Sequence, residues 1–302
     1  MQKTISIVVA IFNRKDELFE LLNSLIAQTD KDFEVIIVDD GSFVDLVPTV
    51  ETFKEMLNIQ YFKKANSGPG LSRNYGANRA KNDWLVFVDS DVIVEKDYIE
   101  NIKKNLEKTD CAAFGGADKA HKGFNLLQKA ISYSMTSVFT TGGIRGSKKA
   151  VTRFQPRSFN MGVNKEIFLK IGGFSEMRIG EDPDLSMTIW ENGYQTAFFD
   201  DIGVYHKRRT DLGKFSKQVY QFGCARPILN QRHPDYVKPT FWFPTLFLLG
   251  YVAGILEYFL LQKGFVLACY GFYTLVIFLH ALYLTKNIAI AAQAIITTYI
   301  QM

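Results

Sequence analysis

The alternation of short β-branched runs with amphipathic stretches predicts an α/β fold, with a mainly parallel central sheet, helices on both faces and hydrophobic helices at the C-terminus. Three observations carry this expectation. Strand-like runs at Thr4 to Phe12, Phe33 to Val38, Ile59 to Phe62 and Trp84 to Val88 alternate with helical patterns. Acidic clusters stand at the ends of two of these runs, where ligands bind in open α/β sheets. Charge almost disappears after residue 240.

The first unit is strand-helix-strand. Between Thr4–Phe12 and Phe33–Val38, Leu18, Leu21, Leu22, Leu25 and Ile26 recur at three- and four-residue steps. Helical stretches at Leu46 to Leu57 and Leu71 to Ala80 continue the alternation up to Trp84–Val88. The second half is less regular. Strand-like Cys111–Ala117, Ser158–Val163, Thr196–Phe199 and Ile202–Tyr205 are separated by helices near Phe124–Val138, Lys165–Ile171 and Pro183–Asn192. Gly142 to Lys149, with three glycines and two lysines, reads as a mobile loop.

Of 35 basic and 31 acidic residues, only Lys263, Lys286 and Glu257 lie beyond Phe241. A net charge of +4 offers no concentrated basic face, which excludes nucleic acid as the expected partner. Cys111, Cys224 and Cys269 are far apart with no Cys-x-x-Cys spacing, so neither a disulfide framework nor a zinc site is expected and a reducing cytosol fits. The apolar opening imitates a signal peptide, but Asn13-Arg14-Lys15-Asp16-Glu17 follows at once without a cleavage pattern. It reads as a buried strand.

Phe241–Leu261 and Gly264–Leu284 are 21 residues each. At ~1.5 Å per residue each reaches roughly 31 Å, the hydrocarbon thickness of a bilayer. Either two spans or a shallow hairpin fits, since only Gln262-Lys263 separates them; Asn287–Met302 is a partial third segment. Residues 207 to 240 carry eight basic side chains against two acidic ones, which predicts that the large domain lies on the cytoplasmic face of the inner membrane. The expected organisation is a domain over 1–235, with a ligand-binding half to 117 and a second half over 118–235, then membrane helices over 241–302.

Asp39-Asp40-Gly41-Ser42 ends the second strand. Its carboxylates suit a base N–H or ribose hydroxyls, although a strand-to-helix turn with a cap explains the pattern as well. Asp89-Ser90-Asp91 ends the Trp84–Val88 strand, and carboxylates at i and i+2 can converge on one hard cation, as a diphosphate requires. Asn66 to Gly70 before Arg73 and Asn74 could present N–H groups to an anion, or simply start a helix. In Gly180-Glu181-Asp182-Pro183-Asp184, Pro183 suits the first helical position and makes Asp182 the N-cap, with Gly193 as the stop. Three carboxylates exceed what capping needs, and Asp182 with Glu181 could serve as a general base. His206, followed by Lys207-Arg208-Arg209, could ligate a metal or meet a departing diphosphate.

In this order the motifs resemble family 2 of the inverting glycosyltransferases, which have the Rossmann-like GT-A fold. The matching pieces are Val8 to Arg14, Val38 to Ser42, Gly70 to Asn74, Asp89 to Asp91, Gly172-Gly173-Phe174 and Gly180 to Asp182. The resemblance implies a nucleotide-sugar donor with a lean toward uridine, its base on Asp40 and its ribose on Asp89 and Asp91; Asp39, Arg73, Ser90, His206, Arg208 and Arg209 are the further donor-side candidates. It implies Mg or Mn on Asp89 and Asp91, with His206 as a further candidate ligand. Asp182, beside Glu181, deprotonates the acceptor hydroxyl. Asn160 and Trp190 are the acceptor-side candidates. Gln221 and Arg226 lack the spacing and Trp of the processive Gln-x-x-Arg-Trp motif, so a single transfer is expected, to a glycan or lipid-linked hydroxyl at the membrane.

Two other readings use the same residues. A nucleotidyltransferase shares strand-end carboxylates, but Asn13-Arg14-Lys15 is no Gly-rich basic loop after the first strand. A membrane-tethered binding protein on an inactive fold is the non-enzyme reading, against which the Asp-Ser-Asp and Glu-Asp pairs stand.

Overall fold

The computed structural model describes residues 3–119, 123–141, 153–206 and 211–302. It divides into two compact units, Met1–Lys119 with Lys148–Lys207, and Ala120–Ser147 with Arg208–Met302.

The first unit is built on eight strands, β1 Ile5–Ile11, β2 Phe33–Asp39, β3 Ile59–Lys63, β4 Trp84–Val88, β5 Val92–Val94, β6 Ala113–Lys119, β7 Asn160–Asn164 and β8 Thr196–His206. Its helices are α1 Lys15–Ile26, α2 Val47–Phe53, α3 Pro69–Ala77, α4 Tyr98–Lys108, α7 Lys165–Lys170 and α8 Glu181–Glu191, while α5 Leu126–Thr136 and α6 Val138–Thr141 belong to the second unit. The sheet order is β3-β2-β1-β4-β7-β6-β8-β5. β1 is buried on both faces. Ile5, Ile7, Val9 and Ile11 join Leu18, Leu21, Leu22 and Leu25 of α1 in one core, while Val8 faces α3. That second face is tight, because a Cβ on Gly76 would lie 2.6 Å from Val8 and 3.1 Å from Val38.

The α/β expectation holds, with one difference in the sheet. β1 to β4 are parallel as predicted, but β7 runs antiparallel to β4 and β6, and β5 antiparallel to β8. The turn Asp89 to Asp91 carries the chain from β4 into β5, which pairs not with β4 but with β8 at the far edge of the sheet. The two predicted segments Thr196–Phe199 and Ile202–Tyr205 are one strand, β8, which pairs with β6 across a register shift between Gly116 and Asp118. β5 and α4 were not expected. β2 and β3 lie on one side of β1 and β4 on the other, so the strand order reverses at β1, and this switch point is where α/β sheets bind ligands.

The second unit also contains α9 Leu212–Arg232, α10 Phe243–Leu261, α11 Phe265–Thr285 and α12 Ile288–Gln301. α5 buries two faces. Ala130 and Tyr133 pack with Ile277, Ala281, Ile290, Ala291 and Ala294 of α11 and α12, while Ile131 and Met135 pack with Phe215 of α9. Tyr133 Oη lies 2.9 Å from His280 Nδ1, and Thr297 Oγ1 donates to the Ala130 carbonyl at 3.2 Å. The packing division therefore differs from the one expected from hydropathy, since α5 and α9 lie with the C-terminal helices. A hydropathy boundary registers where charge stops; it is blind to an apolar helix face inserted earlier in the chain. Pro239–Leu261 and Phe265–Thr285 are long and apolar enough to cross a membrane, with only 6% and 11% of their most apolar windows buried. Ile288–Gln301 is shorter.

Candidate functional site

The turns at the carboxyl ends of β1, β2 and β4 meet the starts of α3 and α8. Asn13 adopts φ 55°, a left-handed conformation that Asn tolerates, and stitches the first two turns together. Its N–H donates to Ser42 Oγ at 2.9 Å, and its Oδ1 accepts from the Phe43 N–H at 2.8 Å. Gly41, at φ 83°, passes so close to the next loop that a Cβ would sit 3.1 Å from the Asn66 nitrogen.

Asp39 and Asp40 are both buried. Asp39 accepts from Tyr61 Oη at 2.7 Å and from the Ser42 N–H at 2.8 Å. Asp40 accepts from the Ser67 N–H at 2.9 Å, the Gly68 N–H at 2.8 Å and Lys64 Nζ at 2.5 Å. The Asn66–Gly70 loop thus does present N–H groups to an anion, and that anion is the chain's own Asp40. Burial works to raise the Asp40 pKa, but Lys64, the Ser67 N–H, Ser72 and the Gly68 N–H outweigh it and hold the carboxyl below its ordinary range.

Arg73 is the hub. Fully buried in the first turns of α3, it donates from Nη2 to Asp89 Oδ1 at 2.7 Å and from Nη1 to Glu181 Oε1 at 3.0 Å. Its guanidinium lies 5.4 Å from the Phe174 ring centroid. Asn74 clamps that ring's segment, donating to the Phe174 carbonyl at 2.7 Å and accepting from its N–H at 2.9 Å. Ser90 is buried in the turn, and Asp91 is paired with Arg14.

α8 begins two residues earlier than expected, with Gly180 at φ 86° as the N-cap and no side-chain cap bond. Glu181 is therefore the first helical residue and Asp182 the second, which corrects the assignment of Asp182 as cap. Glycine reaches the left-handed conformation without steric cost, so the turn does not need the carboxylate. Asp182 instead lies 3.4 Å from Arg157 Nη1. The expected stop holds, with Gly193 at φ 80° just past the helix. Burial first, and the charge of Asp182 second, push the Glu181 carboxyl up to about 7 against the opposing pull of Arg73.

Several of the expected site residues stand elsewhere or beyond description. Asn160 is 1% exposed, accepting from Tyr98 Oη at 2.7 Å and donating to the Ile202 carbonyl at 2.8 Å. Both ends of its amide serve the core, which corrects its reading as an acceptor contact. Trp190 donates to Thr196 Oγ1 at 3.0 Å from the far end of α8, some eight residues or about 12 Å from Asp182. It too is a packing residue. His206 faces Val92 in the β5–β8 register, next to the Asp89 turn, while Arg208, Arg209 and the Gly142–Lys149 segment lie outside the described residues. Arg14, Arg157 and Lys64 were missing from the expected site. Only Arg14 had a signal, standing directly after the first strand.

A sheet with its switch point lined by Asp-Ser-Asp and Glu-Asp carboxylates defines a GT-A-like α/β protein. Residues 6–171 match the family model described as Glycosyl transferase family 2, more than half of the chain, and the chain belongs to that family. An uncharacterized glycosyltransferase of Haemophilus influenzae is 32% identical over 202 residues, 64% of this chain and 64% of that protein. An uncharacterized glycosyltransferase of Rickettsia felis is 36% identical over 106 residues, 35% of this chain but only 18% of that longer protein. Among solved structures, the mannosyltransferase PcManGT from Pyrobaculum calidifontis in complex with GDP-Man and Mn2+ aligns with TM-score 0.62 at 18% identity, covering 97% of this chain and 86% of that one. S. aureus TarS in complex with UDP-GlcNAc aligns with TM-score 0.56 at 17% identity, covering 99% and 90%. At these identities the likeness is one of fold.

Proposed function

We propose that the chain is a metal-dependent inverting glycosyltransferase, moving one sugar from a nucleotide-sugar, uridine-linked by the family's lean, to a hydroxyl acceptor at the cytoplasmic face of a membrane. The observation that carries this reading is the Arg73 bridge. It ties Asp89 at the end of β4 to Glu181 at the start of α8, so the diphosphate-side turn and Asp182 share one cluster. Solved relatives of the same fold hold UDP-GlcNAc, and GDP-Man with Mn2+, which supports a nucleotide-sugar donor.

The donor set fits a hard divalent cation shared with a diphosphate. Asp89 and Asp91 offer carboxylate oxygens at i and i+2, and no group of three or more His, Cys, Asp or Glu side chains forms a metal cage among the described residues. Magnesium is commonly held by one or two carboxylates plus substrate phosphates, and the same arrangement suits manganese. Such an ion supplies charge neutralisation on the leaving diphosphate. His206 ends β8, and with Arg208 and Arg209 it remains a candidate to meet the same phosphates.

Asp182, needed by no cap, takes the acceptor proton while the acceptor oxygen attacks the anomeric carbon opposite the diphosphate. The bond to the diphosphate breaks as the new one forms, so a single displacement inverts the centre. Arg157 orients the Asp182 carboxylate. Glu181, buried against Arg73, acts by positioning that guanidinium. The apolar surfaces of α10 and α11 hold the enzyme at the bilayer, near a lipid-linked or surface-glycan acceptor.

The test is a panel of nucleotide-sugars with Mn2+ or Mg2+, scored for nucleoside diphosphate release. Asp182→Asn is expected to lose transfer by at least about 100-fold while retaining nucleotide binding, and Asp91→Ala to lose metal-dependent binding as well. Wild-type activity in Asp182→Asn sinks the base assignment.

A further inference from the structure

Among the described residues Arg73 and Arg14 pair with the carboxylates of the Asp89 turn, and they are not equivalent. Arg73 is 4% exposed in its side chain and doubly paired with Asp89 and Glu181, so it cannot leave without stranding two carboxylates. Arg14 makes one ion pair, to Asp91, and its side chain is 34% exposed against 10% for Asp91. Its backbone is fixed on both sides, by the kink at Asn13 and by its carbonyl accepting from the Leu18 N–H at 3.1 Å as α1 begins. Only the side chain can move. The other acidic groups that act on the guanidinium are Glu17, in the first turn of α1, and Asp89. Glu17 offers it charge compensation if Asp91 is taken.

We propose that Arg14 is an exchangeable internal counter-ion, competing with the divalent cation for Asp91 so that the donor-free protein binds metal weakly and the ion enters together with the diphosphate. This rests on the assignment of Asp91 as a metal ligand. The argument is one of charge. A mostly buried carboxylate needs a cation at all times, and a tethered guanidinium holds that position without a preformed metal cage. A divalent ion must displace it, and does so more readily when diphosphate oxygens complete its shell. Buried Arg73 keeps Asp89 oriented throughout the exchange.

The probe is Mn2+ alone, titrated without nucleotide into the full chain in detergent and followed by loss of the free-ion electron paramagnetic resonance signal. Removing a competing, partly exposed ion pair is expected to tighten Mn2+ binding by about fivefold in Arg14→Gln. Arg14→Lys, which keeps the charge, is expected to stay at wild-type affinity, and adding Asp91→Asn to Arg14→Gln to abolish the gain. Affinity in Arg14→Gln equal to or below wild type overturns the counter-ion role while leaving Asp91 as a ligand. An equal gain in Arg14→Lys also overturns it, by pointing to a disturbed turn. A gain that survives Asp91→Asn overturns both the counter-ion role and the metal assignment beneath it.

Discussion

Replacing Glu181 by Gln should stabilise the protein at alkaline pH and change little at acid pH. Glu181 is buried, and its carboxyl is pushed up to about 7 from an ordinary value of 4.5. The folded chain therefore binds a proton that the unfolded chain has already released between pH 4.5 and 7, and stability falls as pH rises through that window. At ~1.4 kcal/mol per pKa unit, the fully ionised group costs about 3 kcal/mol above pH 7, after the favourable contact with Arg73 has been counted. The amide keeps the shape and the acceptor oxygen for Arg73 and has nothing to ionise. Thermal unfolding at pH 5 and pH 8 is the assay. The two proteins should melt together at pH 5, with the Glu181→Gln variant roughly 6–12 °C higher at pH 8. A melting difference that is the same at both pH values refutes the reasoning, because only a titrating group makes the gap depend on pH.

Two further outcomes follow from the packing. Asp40→Ala strands the Ser67 and Gly68 N–H groups and Lys64, and should cost about 2–4 kcal/mol in denaturant unfolding. Because the Asp40 carboxyl is held below its ordinary value, this contribution is present above about pH 4 and fades as pH falls through the lower, folded value, so the variant and wild type should converge in acid. Truncation after residue 240 removes the partners of Ala130 and Tyr133 on α5; the fragment should aggregate in detergent-free buffer, and a monodisperse peak in size exclusion would contradict the packing of α5 on α11 and α12.

The first four strands and the helices between them were legible because each carries a complete local signal. Ile5–Ile11 is a continuous apolar run, as a strand covered on both faces must be, and α1 shows its leucines at helical spacing. α4 carries a comparable stripe in Ile99, Ile102 and Leu106, so its signal too is local. β5 is only three residues long and pairs with a strand more than 100 positions away, which no local pattern announces. In the site, Asp89, Asp91 and Asp182 stood out because two or three carboxylates gather within a few positions at a strand end and a helix start, more than a cap requires. Asn160 misled because a buried amide bonded to Tyr98 and Ile202 has the same letter as one facing a ligand.

The first four strands and their succession along the chain, the acidic turns, the glycines at Gly41 and Gly193 and the apolar tail were determined by the sequence itself, since each depends on residues within one turn or one strand of each other. Only the tertiary structure decided which carboxylates meet which cations. It gave Asp40 to the loop at Ser67, Asp91 to Arg14, and Asp89 with Glu181 to a single buried Arg73, and it relieved Asp182 of the cap by setting Gly180 there instead. These pairings join positions from 16 to 108 residues apart. Burial and charge act through space, so their partners become visible only when the chain has closed.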